Sequence, residues 1–448
     1  MAAAGTPRVP SSLPTTPSTT YLEAQTLRTE KAARAAVPVT SPYGGAPADL
    51  ATAVRAAVDD IAGETVALSQ RIFALAEEAF HEVESVQSIV GTLAARGIHS
   101  SVGVFGLETA FMAQIGDPAG PTIAILAEYD ALPGIGHGCG HNIIAASAVG
   151  AFLALASIAD RLPGRVVLLG TPAEEGNSGK ELLARGGAFD AVDAAIMVHP
   201  FGYDALDHPF IGRRILRVTH TGVAAHASAA PFMGRNALDA VALNYQAVGF
   251  LRQHLPPGDR VHGIITAGGD RPSIVPQSAT IEYYLRSPDA ATLAELSLRL
   301  EDIAAGAALA TGTGFTLEWD PQPYTLPTRF NGPLGERWAV RQAERGRQVL
   351  TRAVVPSELA ASTDFGNVSV RVPGIHPTIA VSPPDVALHT AEFAEYARSP
   401  AGDRAALDGA YGLALTALDY LADPHLRAAV DRDFVEAGGV IDVERYFS

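Results

Sequence analysis

Apolar positions recur at three and four spacing from Asp49 to Phe80, as at Ile61, Val66, Leu68, Ile72 and Leu75, which predicts helix. A second helix is expected from Val83 to Arg96, with Gly97 as its C-cap. Three later runs are apolar along their whole length: Thr122 to Ala127 (TIAILA), Arg165 to Gly170 (RVVLLG) and Ala194 to Val198 (AAIMV). With no polar face, each reads as a strand buried on both sides. A long apolar helix from His141 to Asp160 separates the first two. Strands alternating with helices predict an α/β fold with a mostly parallel sheet covered by helices. Ligands gather at the carboxyl ends of such strands, and here those ends deliver Glu128 and Asp130, then Glu174 and Glu175, then His199.

The texture changes near Ile211. Ile215 to Thr221 alternates like a half-exposed strand, and strands are also expected at Val261 to Ala267, Ala279 to Arg286 and Phe315 to Trp319. Helices from Arg235 to His254 and Ala290 to Ala310 interleave with them, giving an inserted two-layer α+β lid. Beyond it come a helix from Pro333 to Leu350, the loop STDFGN, a strand from Thr378 to Ser382, the loop PPDVALHT, and helices at Asp403 to Ala422 and Pro424 to Glu436. The expected organisation is a flexible tail (1–47), a discontinuous catalytic domain (48–210 and 325–448) and a lid (211–324) able to move on its two connections.

Composition narrows the partners. A net charge of -16 disfavours nucleic acid and anionic membrane surfaces. The single cysteine, Cys139, excludes an internal disulfide and fits a reducing cytoplasm. The tail is rich in Ala, Pro, Ser and Thr and lacks the continuous apolar core of a signal peptide. Ile143 to Ala159 has nearly the length of a membrane span, but its Ala, Ser and Gly content and its polar neighbours suit a tightly packed buried helix.

The stretch LAEYDALPGIGHGCGHN (126–142) concentrates the candidate chemistry. By itself Cys139 fits a metal ligand, a nucleophile or a buried small residue. With His141, Glu175, His199 and His389 it forms a set of thiolate, imidazole and carboxylate donors arriving from separate segments. Five donors exceed one tetrahedral ion, so two divalent ions sharing a bridging group are expected, zinc or manganese, with cobalt or nickel as alternatives. Of the acidic neighbours, Glu175 is the expected ligand and Glu174 the free general base beside the water. Asp130 is expected to orient a ligand imidazole. His137 reads as a hydrogen-bonded loop histidine. Arg286, ending a lid strand, is a candidate for a substrate carboxylate; Asp364 and Asn367 either contact the pocket or shape their loop.

EYDALP followed by CGHN, PAEEG, a later VHP, GVAAHASAAPFMGRNALDA and a late histidine together resemble the amidohydrolase branch of the aminoacylase and carboxypeptidase G metallopeptidases. The resemblance covers nearly everything after the tail and implies a zinc-peptidase-like fold. It implies that Cys139, His141, Glu175, His199 and His389 bind two divalent metals and that Glu174 is the general base. It also implies that His226 stabilises the oxyanion, often from a neighbouring subunit, with His220 as a competing candidate. A homodimer through the lid follows. Glu128 and Asn142 depart from the commoner pattern and, with STDFGNVS, resemble the β-alanyl-dipeptidase and aminobenzoyl-glutamate hydrolase subgroup. Ser273 stands where the lid asparagine is usual.

The expected function is hydrolysis of an amide bond in a dipeptide or N-acyl amino acid by a dimetal-bound hydroxide. A cysteine-nucleophile amidase using Cys139 and a non-catalytic metal- or ligand-binding protein are the alternatives. An Asp364 facing the pocket would favour a substrate with a free amine.

Overall fold

The computed structural model describes residues 14–355 and 360–447. In chain order its strands are β1 (Ser100–Val102), β2 (Phe111–Gly116), β3 (Thr122–Ala127), β4 (Arg165–Gly170), β5 (Ala194–Ile196), β6 (His199–Phe201), β7 (Gly212–Thr221), β8 (Arg260–Ala267), β9 (Ser278–Ser287), β10 (Gly314–Trp319), β11 (Gly374–Ile375) and β12 (Thr378–Ala380). The helices are α1 (Thr20–Ala35), α2 (Ala48–Asp60), α3 (Ala62–Leu75), α4 (Val83–Ala95), α5 (His141–Ala156), α6 (Gly179–Arg185), α7 (Ala237–Leu251), α8 (Ala290–Thr311), α9 (Gly332–Ala343), α10 (Phe365–Ser369), α11 (Ala391–Ala397), α12 (Pro400–Ala422) and α13 (Pro424–Glu436).

The larger sheet runs β1-β2-β4-β3-β5-β11. β3 pairs in parallel with both β4 and β5, and β5 with β11, while β1 and β2 add an antiparallel margin. The fold is thus the expected α/β class. The connection from β3 through α5 to β4 and the next through α6 to β5 leave on opposite sides of β3. The polypeptide diverges there, and a crevice opens at the strands' carboxyl ends.

α5 is buried at every residue except Ala156, packed between the sheet and helices α3 and α12. Its small residues let neighbours approach: a Cβ on Gly150 would lie 2.9 Å from Thr65 Oγ1, and one on Gly409 of α12 would collide with Ser147 Oγ. Tight packing of this kind explains the apolar run. Among the described residues no helix is long and apolar enough to cross a membrane.

A second, antiparallel sheet runs β10-β7-β9-β8, with α7 and α8 packed against it. Its core is separate, built on residues such as Leu216, Val218, Ile281, Tyr283 and Leu300. The strand that enters it and the segment that leaves are laced together, Arg213 and Thr325 exchanging backbone hydrogen bonds of 2.8 and 3.0 Å. β6 and β12 form a small parallel pair beside the larger sheet.

Several local expectations are corrected. The predicted helix over 49–80 is two helices broken at Ile61, and α3 stops at a left-handed Ala76. The helix expected from Pro333 to Leu350 ends at Ala343, and Gly346 turns at φ +78. Part of the expected tail is helix α1, whose Ala, Leu, Glu, Lys and Arg content favours helix without an apolar stripe. Its end is held where Gln348 Nε2 donates to the carbonyls of Ala33 and Ala36. Residues 1–13 of that tail lie outside the described residues.

Candidate metal and catalytic site

β3 ends at Ala127, and the next residues alternate across the sheet edge, so Glu128 and Asp130 enter the crevice while Tyr129 points away, its hydroxyl donating to Thr109 O at 2.6 Å. The loop that follows turns at Gly134, Gly136 and Gly140, all with positive φ. Gly140 has φ +76, and a Cβ there would stand 2.9 Å from Pro200 Cγ. Only glycine fits, and this turn aims Cys139 and His141 into one space. His141 opens α5, its Nδ1 3.0 Å from Asp130 Oδ1. Its Nε2 is left 3.4 Å from Glu128 Oε2 and 3.8 Å from Glu175 Oε1. Two neighbours leave the site. His137 Nε2 lies 3.0 Å from Ile72 O, and the Asn142 amide donates to Ser69 Oγ and Ala397 O. Asn142 thereby ties α5 to its neighbours and is structural.

Beyond β4 the chain turns through Ala173 (φ +59), Gly176 (φ +80) and Ser178 (φ +56). Left-handed non-glycine residues are costly and persist where surroundings enforce them. Glu82 Oε1 accepts from Ala173 N at 2.9 Å, and Asp130 Oδ2 accepts from Glu175 N at 2.9 Å. Held this way, Glu175 meets Cys139, His141 and His389, while Glu174 faces Glu128 and Asp364. Among the described residues the Glu174 carboxylate accepts no hydrogen bond, whereas Glu128, Asp130 and Asp364 are tied down. Burial, Glu128, Asp364 and Glu175 push its pKa well up.

His199 belongs to β6 rather than to a loop, and its Nε2 lies 3.5 Å from Cys139 Sγ. Burial and His141 lower its pKa to about 3, so it is a neutral imidazole with a lone pair to give. His389, exposed and at φ +60, donates its backbone N–H to Gly138 O, and its Nε2 lies 3.6 Å from Glu175 Oε1. Cys139, His141 and His199 bring donor atoms within 4.8 Å of one another, as do Cys139, Glu175 and His389. The two trios share the thiol. His141 Nε2 and Glu175 Oε1 are buried without hydrogen-bond partners, an expensive arrangement unless a cation sits among them. Burial and Glu175 push the Cys139 thiol well up, the opposite of an activated nucleophile; a cation would reverse this. The donor set therefore fits divalent metal.

A cavity of about 490 Å³ opens beside these groups. Its far wall carries Arg213 and Arg286, cross-strand partners on β7 and β9, with Tyr284 between them. Arg286 donates to Ser362 Oγ at 2.7 Å, and Arg213 to Ser178 Oγ and the carbonyls of Gly176 and Pro323. Neither guanidinium pairs with an acid among the described residues. Arg213 escaped the sequence reading because an arginine at a strand start carries no signal until the other sheet stands opposite it.

Lys180 also escaped it. The side chain is fully buried, its ammonium bonded to Glu128 and, at 2.6 Å, to Asp364 Oδ1; its backbone N–H donates to Asp364 Oδ2 at 2.8 Å. Asp364 lines the cavity with both oxygens engaged by Lys180, which removes the basis for reading it as a substrate-amine acceptor. Asn367 is buried away from the cavity, accepting from Leu326 N and donating to Glu181 and Tyr324 O; it clamps the segment that returns from the second sheet. Ser273 is exposed at the far end of that sheet, its carbonyl accepting from Ala227 N. His226 sits beside it, exposed and outside the cavity, while His220 is buried against Asn244 and Phe315.

Residues 124–405 match Peptidase family M20/M25/M40. The chain is 38% identical over 392 residues to the Xaa-Arg dipeptidase of Mus musculus, covering 84% of this chain and 90% of that protein. It is 29% identical over 436 residues to one of the two kinds of chain of the p-aminobenzoyl-glutamate hydrolase of Escherichia coli (strain K12), covering 80% and 89%. A putative aminohydrolase from methicillin-resistant Staphylococcus aureus shares the fold at TM-score 0.70 and 21% identity, over 83% of this chain and 99% of that one. A Bacillus subtilis protein described as a dinuclear metal binding peptidase from the M20 family aligns at TM-score 0.58 and 21% identity, over 78% and 98%.

Proposed function

This chain belongs to peptidase family M20/M25/M40 and is a metallo-amidohydrolase, and on that premise we propose that it hydrolyses a dipeptide or N-acyl amino acid with Glu174 as general base. Two divalent cations, zinc or manganese, held by Cys139, His141, Glu175, His199 and His389, would supply Lewis acidity toward the carbonyl oxygen and acidify a water molecule. Asp130 fixes the ring of His141 so that Nε2 presents its lone pair. Glu174 takes the water proton and hands it to the leaving nitrogen. Arg286, with Arg213 beside it, holds the substrate carboxylate against the cavity wall. The observation that carries this reading is the untied Glu174 carboxylate, set among acids that are all otherwise engaged.

His226 acts from a second copy of the chain. In support, its ring lies outside the cavity of its own subunit, and β8 is an edge strand of the second sheet with Ile264 and Ile265 exposed. An open apolar edge is a ready surface for strand pairing.

Glu174→Gln should lower kcat roughly 10²- to 10⁴-fold while metal content per chain stays at the wild-type value. Activity retained by the variant on dipeptides and N-acyl amino acids would overturn the assignment.

A further inference from the structure

Glu128, Glu174 and Asp364 present carboxylate oxygens all within 4.8 Å of one another at the floor of the crevice. Three converging acids of this kind are ordinarily a hard-cation cage. The space already has a cation: the Lys180 ammonium, fully buried, bonded to Glu128 and Asp364. Glu128 Oε2, buried and without a hydrogen-bond partner, lies 3.4 Å from His141 Nε2, so the cage is continuous with the proposed metal ligands.

We propose that Lys180 is a built-in cation that fills the Glu128–Glu174–Asp364 cage, excludes a further metal ion from it, and so keeps the Glu174 carboxylate free to work as a base. The inference rests on the reading of Glu174 given above. Lys180 is a positioning residue, acting through the acids it holds. Its place follows from the fold: the strained turn at Ser178 starts α6 so that residue 180 points back under β3, and its backbone N–H holds Asp364 from the same side. An ammonium suits the task because it neutralises acids without offering a lone pair. The triad also fixes the loop whose Ala361, Ser362 and Thr363 form one cavity wall.

The test is metal stoichiometry, measured by equilibrium dialysis against manganese and separately zinc, alongside kcat and KM. Wild type should hold its native complement and show no inhibition by excess metal. Lys180→Met should bind about one more ion per chain and lose kcat as metal rises, by up to the roughly 10²-fold that a captured base costs. Adding Glu128→Gln to it should restore the native stoichiometry. Should Lys180→Met fail to fold, Lys180→Gln, which keeps an amide donor for Asp364, serves the same comparison. A folded variant with wild-type stoichiometry, active or not, overturns the proposal, and so does an extra ion in wild type that Glu128→Gln removes. Because stoichiometry is read without turnover, an inactive Glu174→Gln enzyme with normal metal content leaves this result independent of the base assignment.

Discussion

Glu174 and Glu175 are neighbours in the chain, and their different surroundings come from one strained turn. Ala173 at φ +59 rotates the backbone just ahead of them, and the bonds from Glu82 and Asp130 keep it rotated. Glu82 is therefore as much a part of the site as the acids it positions, although a lone glutamate ahead of α4 looks solvated in the sequence. On the opposite wall, Arg286 is buried, and burial together with Arg213 lowers its pKa, so its charge is uncompensated until an anion arrives. Arg286→Met should raise KM for a substrate with a free carboxylate roughly 10- to 100-fold, the worth of a charged hydrogen bond. The corresponding amide, lacking the carboxylate, should be unaffected. Steady-state kinetics on the pair of substrates reads the difference, and equal losses on both would remove the residue from substrate binding.

At the level of elements, the fold depends on one buried ion cluster away from the site. Asp419 of α12 accepts from Arg341 at 2.6 and 2.8 Å and from Arg337 Nε at 3.0 Å, both arginines on α9, and also from the backbone N–H of Ala46 ahead of α2. One carboxylate thereby joins α9, α12 and the segment leading into α2. Asp419→Ala leaves two buried guanidiniums uncompensated and should cost about 3–5 kcal/mol, since breaking a buried pair strands its partner. Chemical denaturation would show this as a lower midpoint with an unchanged slope; a midpoint within error of wild type would mean the cluster is dispensable. The periodicity of α9 and α12 is legible in the sequence, but this link is not, because Arg337 and Asp419 look like solvated charges until the helices are packed.

For the whole molecule, the distance of His226 from the cavity has a functional consequence. If it completes the site of a second subunit, His226→Ala and Glu174→Gln homodimers should each be inactive, and mixing them should restore activity through hybrids carrying one intact site. Sedimentation velocity on Ile264→Lys, which puts a charge on the β8 edge, should show a shift from dimer to monomer. No recovery on mixing, with subunit exchange verified, would place the function of His226 elsewhere.

The sequence by itself determined the α/β class, the three fully apolar strands and the ligand-type residues at their ends, because burial on both faces and metal-donor chemistry each restrict residue type. It also located the change to alternating strands near residue 211. Only the tertiary structure decided what the polar residues outside those patterns do. Lys180 became an internal counter-ion, Arg213 a wall of the cavity, Asn367 a clamp, and His226 and Ser273 features of a distant surface. The physical reason is that an isolated charge or amide has the same local signature whether solvated or buried, and its role is fixed by partners far away in the chain.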